Sequence, residues 1–159
     1  MMPVRNFSAH LYRVEHGSPR PVGITPESVP WGGGWLEQLN EGKPPALFDF
    51  LLEAAHPETN RFHYYIRVSD RIQARYSRYK LALSRNGYLG VYQTPEFEQF
   101  WKLEPLSEWQ DNQMLCTIRD YQGHEVCYEP LPNGWGEVRE NYLRVQGGVT
   151  STFLIKRVW

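Results

Sequence analysis

The chain has 159 residues, with 17 basic against 18 acidic side chains for a formal charge of −1. That length suits one domain rather than two, and the balanced charge supplies no global field to draw the chain onto nucleic acid or an anionic membrane. Two cysteines are too few for the disulfide framework of a small secreted domain, and no stretch approaches the roughly 18 apolar residues of a membrane span.

Six Trp, ten Tyr and seven Phe place much of the expected burial on large aromatic side chains. The N-terminal stretch "MMPVRNFSAHLYRVEHG" carries no apolar segment of signal-peptide length. A cytoplasmic location is therefore expected, with export by a signal-less route left open.

From the N-terminus, Phe7 to Val14 is a short strand-like run. It is followed by "HGSPRPVGITPESVPWGGGW", which packs four Pro and five Gly into twenty residues and reads as irregular structure. Residues 1–45 are accordingly expected to be an irregular N-terminal segment wrapped over the domain by Val22, Ile24, Val29, Trp31 and Trp35. "PPALFDFLLEAAHP" has Pro45 in a first-turn position, Leu47, Phe48, Leu51 and Leu52 at helical spacing, and Pro57 as a stop. These features predict a short helix near 46–55. Arg61 to Val68, "RFHYYIRV", is aromatic and β-branched, hence a strand.

Residues 69–92 admit two readings. Ser69 as an N-cap, Ile72, Tyr76, Tyr79 and Leu83 at helical spacing, and Gly87 as the stop describe a helix over 70–84. Alternatively "KLALSR" and "YLGVYQ" form a hairpin across Asn86-Gly87, with Leu89 and Val91 opposite Ser84 and Ala82. Beyond this point "QFWKLEPL", "MLCTIRD", "HEVCYEPL", "NYLRVQ" and "TFLIKRVW" are short β-favourable runs between turn-forming clusters. The whole is read as a single domain, 1–159, with a β-rich core over 62–159.

"YLGVYQTPEFEQFWKL" from Tyr88 and "YLRVQGGVTSTFLI" from Tyr142 share Tyr-Leu-x-Val, a turn, and an aromatic-x-aliphatic strand (Trp101 and Leu103; Phe153 and Ile155). The unit recurs after 54 residues. With Gln99-Phe100-Trp101 as a Gln-x-Trp-type closing strand, residues 62–159 resemble the recurring unit of β-trefoil proteins. Residues 1–61 show no convincing first copy. The resemblance implies a β-rich, trefoil-like antiparallel barrel and selects the hairpin reading of 69–92; the alternative fold is α+β, an antiparallel sheet with a second helix at 70–84.

Cys116, His124, Glu125 and Cys127 lie close in "CTIRDYQGHEVCYEP", but no zinc-site spacing is present. No cysteine–histidine nucleophile with an orienting partner can be named either. A hairpin turning at Tyr121-Gln122 would set Cys116 opposite Cys127, at a separation that permits a disulfide. No catalytic residue, metal or cofactor is expected.

Trp109, Trp135, Tyr121 and Tyr128, with Asp111, Asn112, Asp120 and Asn133 nearby, are the candidate ligand-binding residues. Aromatic rings beside carboxylate and amide groups suit sugars or protein interfaces. Arg67, Arg71, Arg75, Arg78 and Lys80 form the basic concentration, which on a helix would make a stripe for phosphates or an acidic surface. The leading expectation is a non-enzymatic recognition domain that binds carbohydrate or a protein surface through aromatic-bearing loops, with neither nucleic acid nor membrane as partner. The alternative is an intracellular α+β enzyme, or a toxin-immunity or effector-type protein, whose basic helix 69–85 meets a nucleotide or acidic partner.

Overall fold

A computed structural model describes residues 5–26, 33–72, 74–95, 97–132 and 138–159. Thirteen strands follow in chain order: β1 (Phe7–Glu15), β2 (Ser18–Ile24), β3 (Leu36–Gln38), β4 (Leu47–His56), β5 (Arg61–Val68), β6 (Lys80–Leu83), β7 (Leu89–Tyr92), β8 (Trp101–Pro105), β9 (Gln113–Arg119), β10 (Val126–Pro132), β11 (Val138–Val145), β12 (Val149–Thr150) and β13 (Thr152–Arg157). Six of them, β1, β4, β5, β8, β9 and β13, pair antiparallel in that order, and β13 returns to β1 to close a barrel. Closure removes the unpaired edges that an open sheet would expose.

Alternation of side chains fills the barrel. Strand β5 shows it plainly, with Phe62, Tyr64, Ile66 and Val68 buried and the residues between them half-exposed. Across the strands, three inward rows are Phe7–Phe50–Ile66, Phe62–Leu103–Ile118 and Met114–Ile155–Leu11, all buried. Each fully buried large apolar side chain contributes roughly 1.5–3 kcal/mol. Three hairpins, β2–β3, β6–β7 and β10–β11, cover one end of the barrel. Their Leu36, Leu89 and Leu143 pack over Phe48, Phe50 and Phe153 from the barrel interior. The hairpins also join one another through bridges at Trp35–Gly90 and Tyr88–Arg144 and a Glu37–Tyr142 pair. At the other end, Phe7 stacks on Phe50 with centroids 4.7 Å apart, and meets Tyr64 and Trp109 edge-on.

Several expectations are corrected. The helix near 46–55 is strand β4. Its apolar run is continuous because β1 and β5 flank it and both faces of its first half are covered, a pattern that short helices share. The helix at 70–84 is also absent, and with it the α+β alternative: among the described residues there is no α-helix, only a 3-10 turn at Pro57–Thr59. Tyr76 and Arg78 take left-handed backbone conformations (φ 64° and 69°) that no α-helix accepts, and Lys80–Leu83 is drawn into a hairpin. Among the described residues no helix is long and apolar enough to cross a membrane.

The strand-like run from Phe7 to Val14 is β1, and β2 and β3 stand where the 1–45 segment was expected to be irregular; Val29 and Trp31 lie outside the described residues. His16 and Gly17, both at positive φ, form the two-residue turn that pairs Glu15 with Ser18 and starts β2.

The Asn86-Gly87 hairpin forms, one residue out of the expected register. Leu83 faces Leu89 and Leu81 faces Val91, because Ser84 to Gly87 is a type I turn followed by left-handed Gly87 (φ 84°) rather than a two-residue turn. The Asp120 to Gly123 turn does the same, with Asp120 N–H donating to His124 O and Gly123 N–H to Asp120 O. Beyond that turn the two strands part, β9 to β8 and β13 and β10 to β11 and β12, so Cys116 pairs with Phe153 and Pro105, and Cys127 with Arg144 and Thr150. They do not face each other, and both thiols are free.

Candidate functional site

The outward-pointing residues of β1, β4 and β5 form a cross-strand row, Ser8–Asp49–Arg67. Two further pieces of chain rise beside it. The segment after β5 brings Asp70 and Arg71, and the end of the chain brings Trp159, held by Ser8 N–H donating to Trp159 O at 2.9 Å and Trp159 N–H to Ser8 O at 3.3 Å. With Asn6, Phe7 and Leu51 these residues line an open cleft of about 340 Å³.

Asp49 is only 6% exposed, and a buried carboxylate requires partners. Ser8 Oγ donates to its Oδ1 at 2.6 Å and Arg67 Nε to its Oδ2 at 3.3 Å. Burial alone would push the carboxyl up, but the hydrogen bonds from Ser8, Ser69 and Arg67, with the Arg67 charge, outweigh it and hold Asp49 below the usual carboxylate range. Arg71 extends the network: its Nε donates to Ser8 Oγ at 3.0 Å, its backbone N–H to Ser69 Oγ at 3.1 Å, and its guanidinium lies 5.3 Å from the centroid of the Trp159 ring. Trp159 remains 53% exposed. An ionised carboxylate with both oxygens engaged, two oriented guanidinium groups and an open aromatic ring make a surface suited to binding.

The basic residues named from the sequence do not form a stripe. Arg67 and Arg71 belong to the cleft; Arg75 lies over the Tyr76 ring, Arg78 faces Asp70 at 3.7 Å, and Lys80 pairs with Glu98. The aromatic candidates are likewise dispersed. Trp109 is half-buried against Phe7, with the Arg157 guanidinium over its ring, and so serves as a plug at the barrel mouth. Asp120 is buried, and its carboxylate accepts from the Gln122 and His124 backbones and faces His124 Nδ1 at 3.1 Å, which fixes the turn. Tyr121 meets Phe97 edge-on, and Tyr128 is buried under the Arg13 guanidinium with its hydroxyl on Asn141. Asp111 and Asn112 occupy a left-handed turn whose Asn112 accepts from Arg157. Asn133 and Trp135 lie outside the described residues.

No three of the His, Cys, Asp and Glu side chains among the described residues group as metal ligands. Cys116 is fully enclosed in the barrel, and burial pushes its thiol far above the ordinary range; burial and Glu125 raise that of Cys127. On another face of the barrel, His63 stacks on Phe100 and lies 4.8 Å from His56, and burial, His56 and Lys102 lower its pKa.

Ser8, Asp49 and Trp159 were not singled out from the sequence. One signal for Asp49 was present: a lone charge inside "LFDFLL" marks the outward position of an alternating strand, once that stretch is read as extended. No family model, curated protein or solved structure matches the chain.

Proposed function

We propose that the chain is a non-enzymatic recognition domain built as a trefoil-like barrel, and that it binds carbohydrate in the cleft between Asp49, Arg71 and Trp159. The observation that carries the reading is the half-exposed Trp159 ring standing beside a buried, ionised carboxylate and two guanidinium groups. A ring of this kind covers the apolar face of a pyranose while the charged groups bond its hydroxyls. The site has moved from the loop aromatics to the outer wall of the barrel.

The trefoil-like reading is supported by the strand scheme of six barrel strands and three capping hairpins. It is supported as well by Trp35-Leu36, which stands where a first copy of the unit would lie. Trp35, Tyr88 and Tyr142 lie 53 and 54 residues apart, and their rings meet pairwise at 6.2, 6.5 and 5.7 Å. Each is followed by a leucine buried in the shared core. A fold of this kind does not choose a ligand, so the function rests on the cleft.

A glycan array probed with the wild-type chain and with Trp159→Ala tests the proposal. Binding that the variant loses while its circular dichroism stays unchanged is the expected result. A folded wild-type chain that binds no glycan refutes it. The protein-surface reading draws on a different wall, where Leu106 and Leu115 are 54% and 37% exposed beside Leu154 and Tyr12.

A further inference from the structure

We infer, resting on the carbohydrate reading, that the cleft selects saccharides bearing an oxyanion, a carboxylate or sulfate on the sugar ring. Both guanidinium groups are anchored through Nε, Arg67 on Asp49 and Arg71 on Ser8. Anchoring at Nε leaves the paired terminal nitrogens of each fork without a hydrogen-bond partner among the described residues. A guanidinium so fixed is already oriented to receive two oxygens of one anion, and little side-chain freedom remains to be lost on binding.

The local charges favour an anion. Arg67 is matched by Asp49 and Arg78 by Asp70, whereas Arg71 has a hydroxyl and an aromatic ring as its neighbours. An anion seated there would meet a guanidinium that no carboxylate among the described residues holds in an ion pair. The Trp159 ring beside Arg71 would place the sugar face within reach of the same guanidinium.

The rows at corresponding places on the barrel differ in chemistry. In His63–Lys102–Arg119 the guanidinium is held by Glu104 and Glu125 and His63 lies beside Glu53, so the remaining cation, Lys102, offers no fork. Leu115–Leu154–Tyr12 carries no ionised side chain. One acidic saccharide per chain is therefore expected.

The test is an array on which uronic-acid, sialylated and sulfated glycans each stand beside their uncharged parent, followed by calorimetric titration of the tightest binder. Binding confined to the charged members is expected, with the carboxylate and sulfate members showing which oxyanion is preferred. A stoichiometry of one should accompany it, with at least a tenfold loss in Arg71→Ala and a smaller loss in Arg71→Lys, which keeps the charge but not the fork. Arg71 is exposed, so neither variant threatens the fold, and thermal melting checks this. Equal binding to charged and uncharged members, or full affinity in Arg71→Ala, overturns the oxyanion inference and leaves the carbohydrate reading standing. No binding to any member refutes the carbohydrate reading itself.

Discussion

Replacing Asp49 with Asn keeps the shape of the side chain and removes its charge. In the native structure one oxygen accepts from Ser8 at 2.6 Å and the other from Arg67 at 3.3 Å, and the new amide keeps an acceptor for only one of them. A hydrogen bond to a charged group is worth about 1.5–3 kcal/mol. Part of the Arg67 contribution is discounted because its side chain is 28% exposed and can recover water. The expected loss at pH 7 is about 2–3 kcal/mol, or roughly 4–12 °C in Tm for a chain of this length.

The pH dependence follows from the direction of the shift. Asp49 is held below its ordinary value in the folded chain, so its stabilisation is complete above the unfolded carboxyl pKa of about 4. It is lost as pH falls through the folded value. Urea unfolding followed by tryptophan fluorescence at constant m, wild type against Asp49→Asn, from pH 7 to pH 3, should show the gap narrowing at the acid end. A gap at pH 7 below about 0.5 kcal/mol, or one of the same size at pH 3, refutes the account of the buried network.

Two further outcomes concern the scaffold. Gly87→Ala introduces a Cβ 3.3 Å from the Val145 carbonyl oxygen at a left-handed φ of 84°. It should cost about 1–2 kcal/mol in urea unfolding, and a variant as stable as wild type would count against the turn described. Cys116 is fully buried with its thiolate disfavoured; a disulfide exchange reagent should leave it unmodified in the native chain and titrate two thiols in urea, and rapid native modification of Cys116 would contradict the interior assigned to it.

The sequence was legible where local chemistry decides the structure and opaque where neighbours do. The β5 alternation and the reversal at Asn86-Gly87 could be read directly, because a period of two and a left-handed glycine are properties of a few residues. Register could not be read so simply. Ser84 and Asp120 at the first turn position, with Gly87 and Gly123 at the fourth, are the marks of a type I turn, and reading two-residue turns at Asn86-Gly87 and Tyr121-Gln122 displaced both reversals by one residue. Cys116 was set against Cys127 by taking the two flanking runs as one hairpin, whereas β9 runs between β8 and β13 in the barrel and β10 pairs with β11 and β12. Strand β4 was beyond local reading, since Leu47, Phe48, Leu51 and Leu52 satisfy a helix as well as a strand covered on both sides. With β4 taken as a helix, Asp49 had no outward face to share with Ser8 and Arg67, and the cleft could not be assembled.

Interior and exterior of the barrel obey different constraints. All three inward rows must be apolar and large enough to fill one core, and Phe7–Phe50–Ile66, Phe62–Leu103–Ile118 and Met114–Ile155–Leu11 comply. Outward rows face no such demand, and the three diverge into Ser8–Asp49–Arg67, His63–Lys102–Arg119 and Leu115–Leu154–Tyr12. Where Asp49 stands in the first, Leu154 stands in the third, so the closed barrel accepts an apolar residue at that place. A buried ion pair is on average no more stabilising than well-packed apolar groups of similar volume, although breaking one by removing a single partner is costly. Stability therefore accounts for the consequences of removing Asp49 but not for its presence, and the charge at position 49 is accounted for by the way it aims Arg67, and through Ser8 Arg71, at the ligand proposed for the cleft.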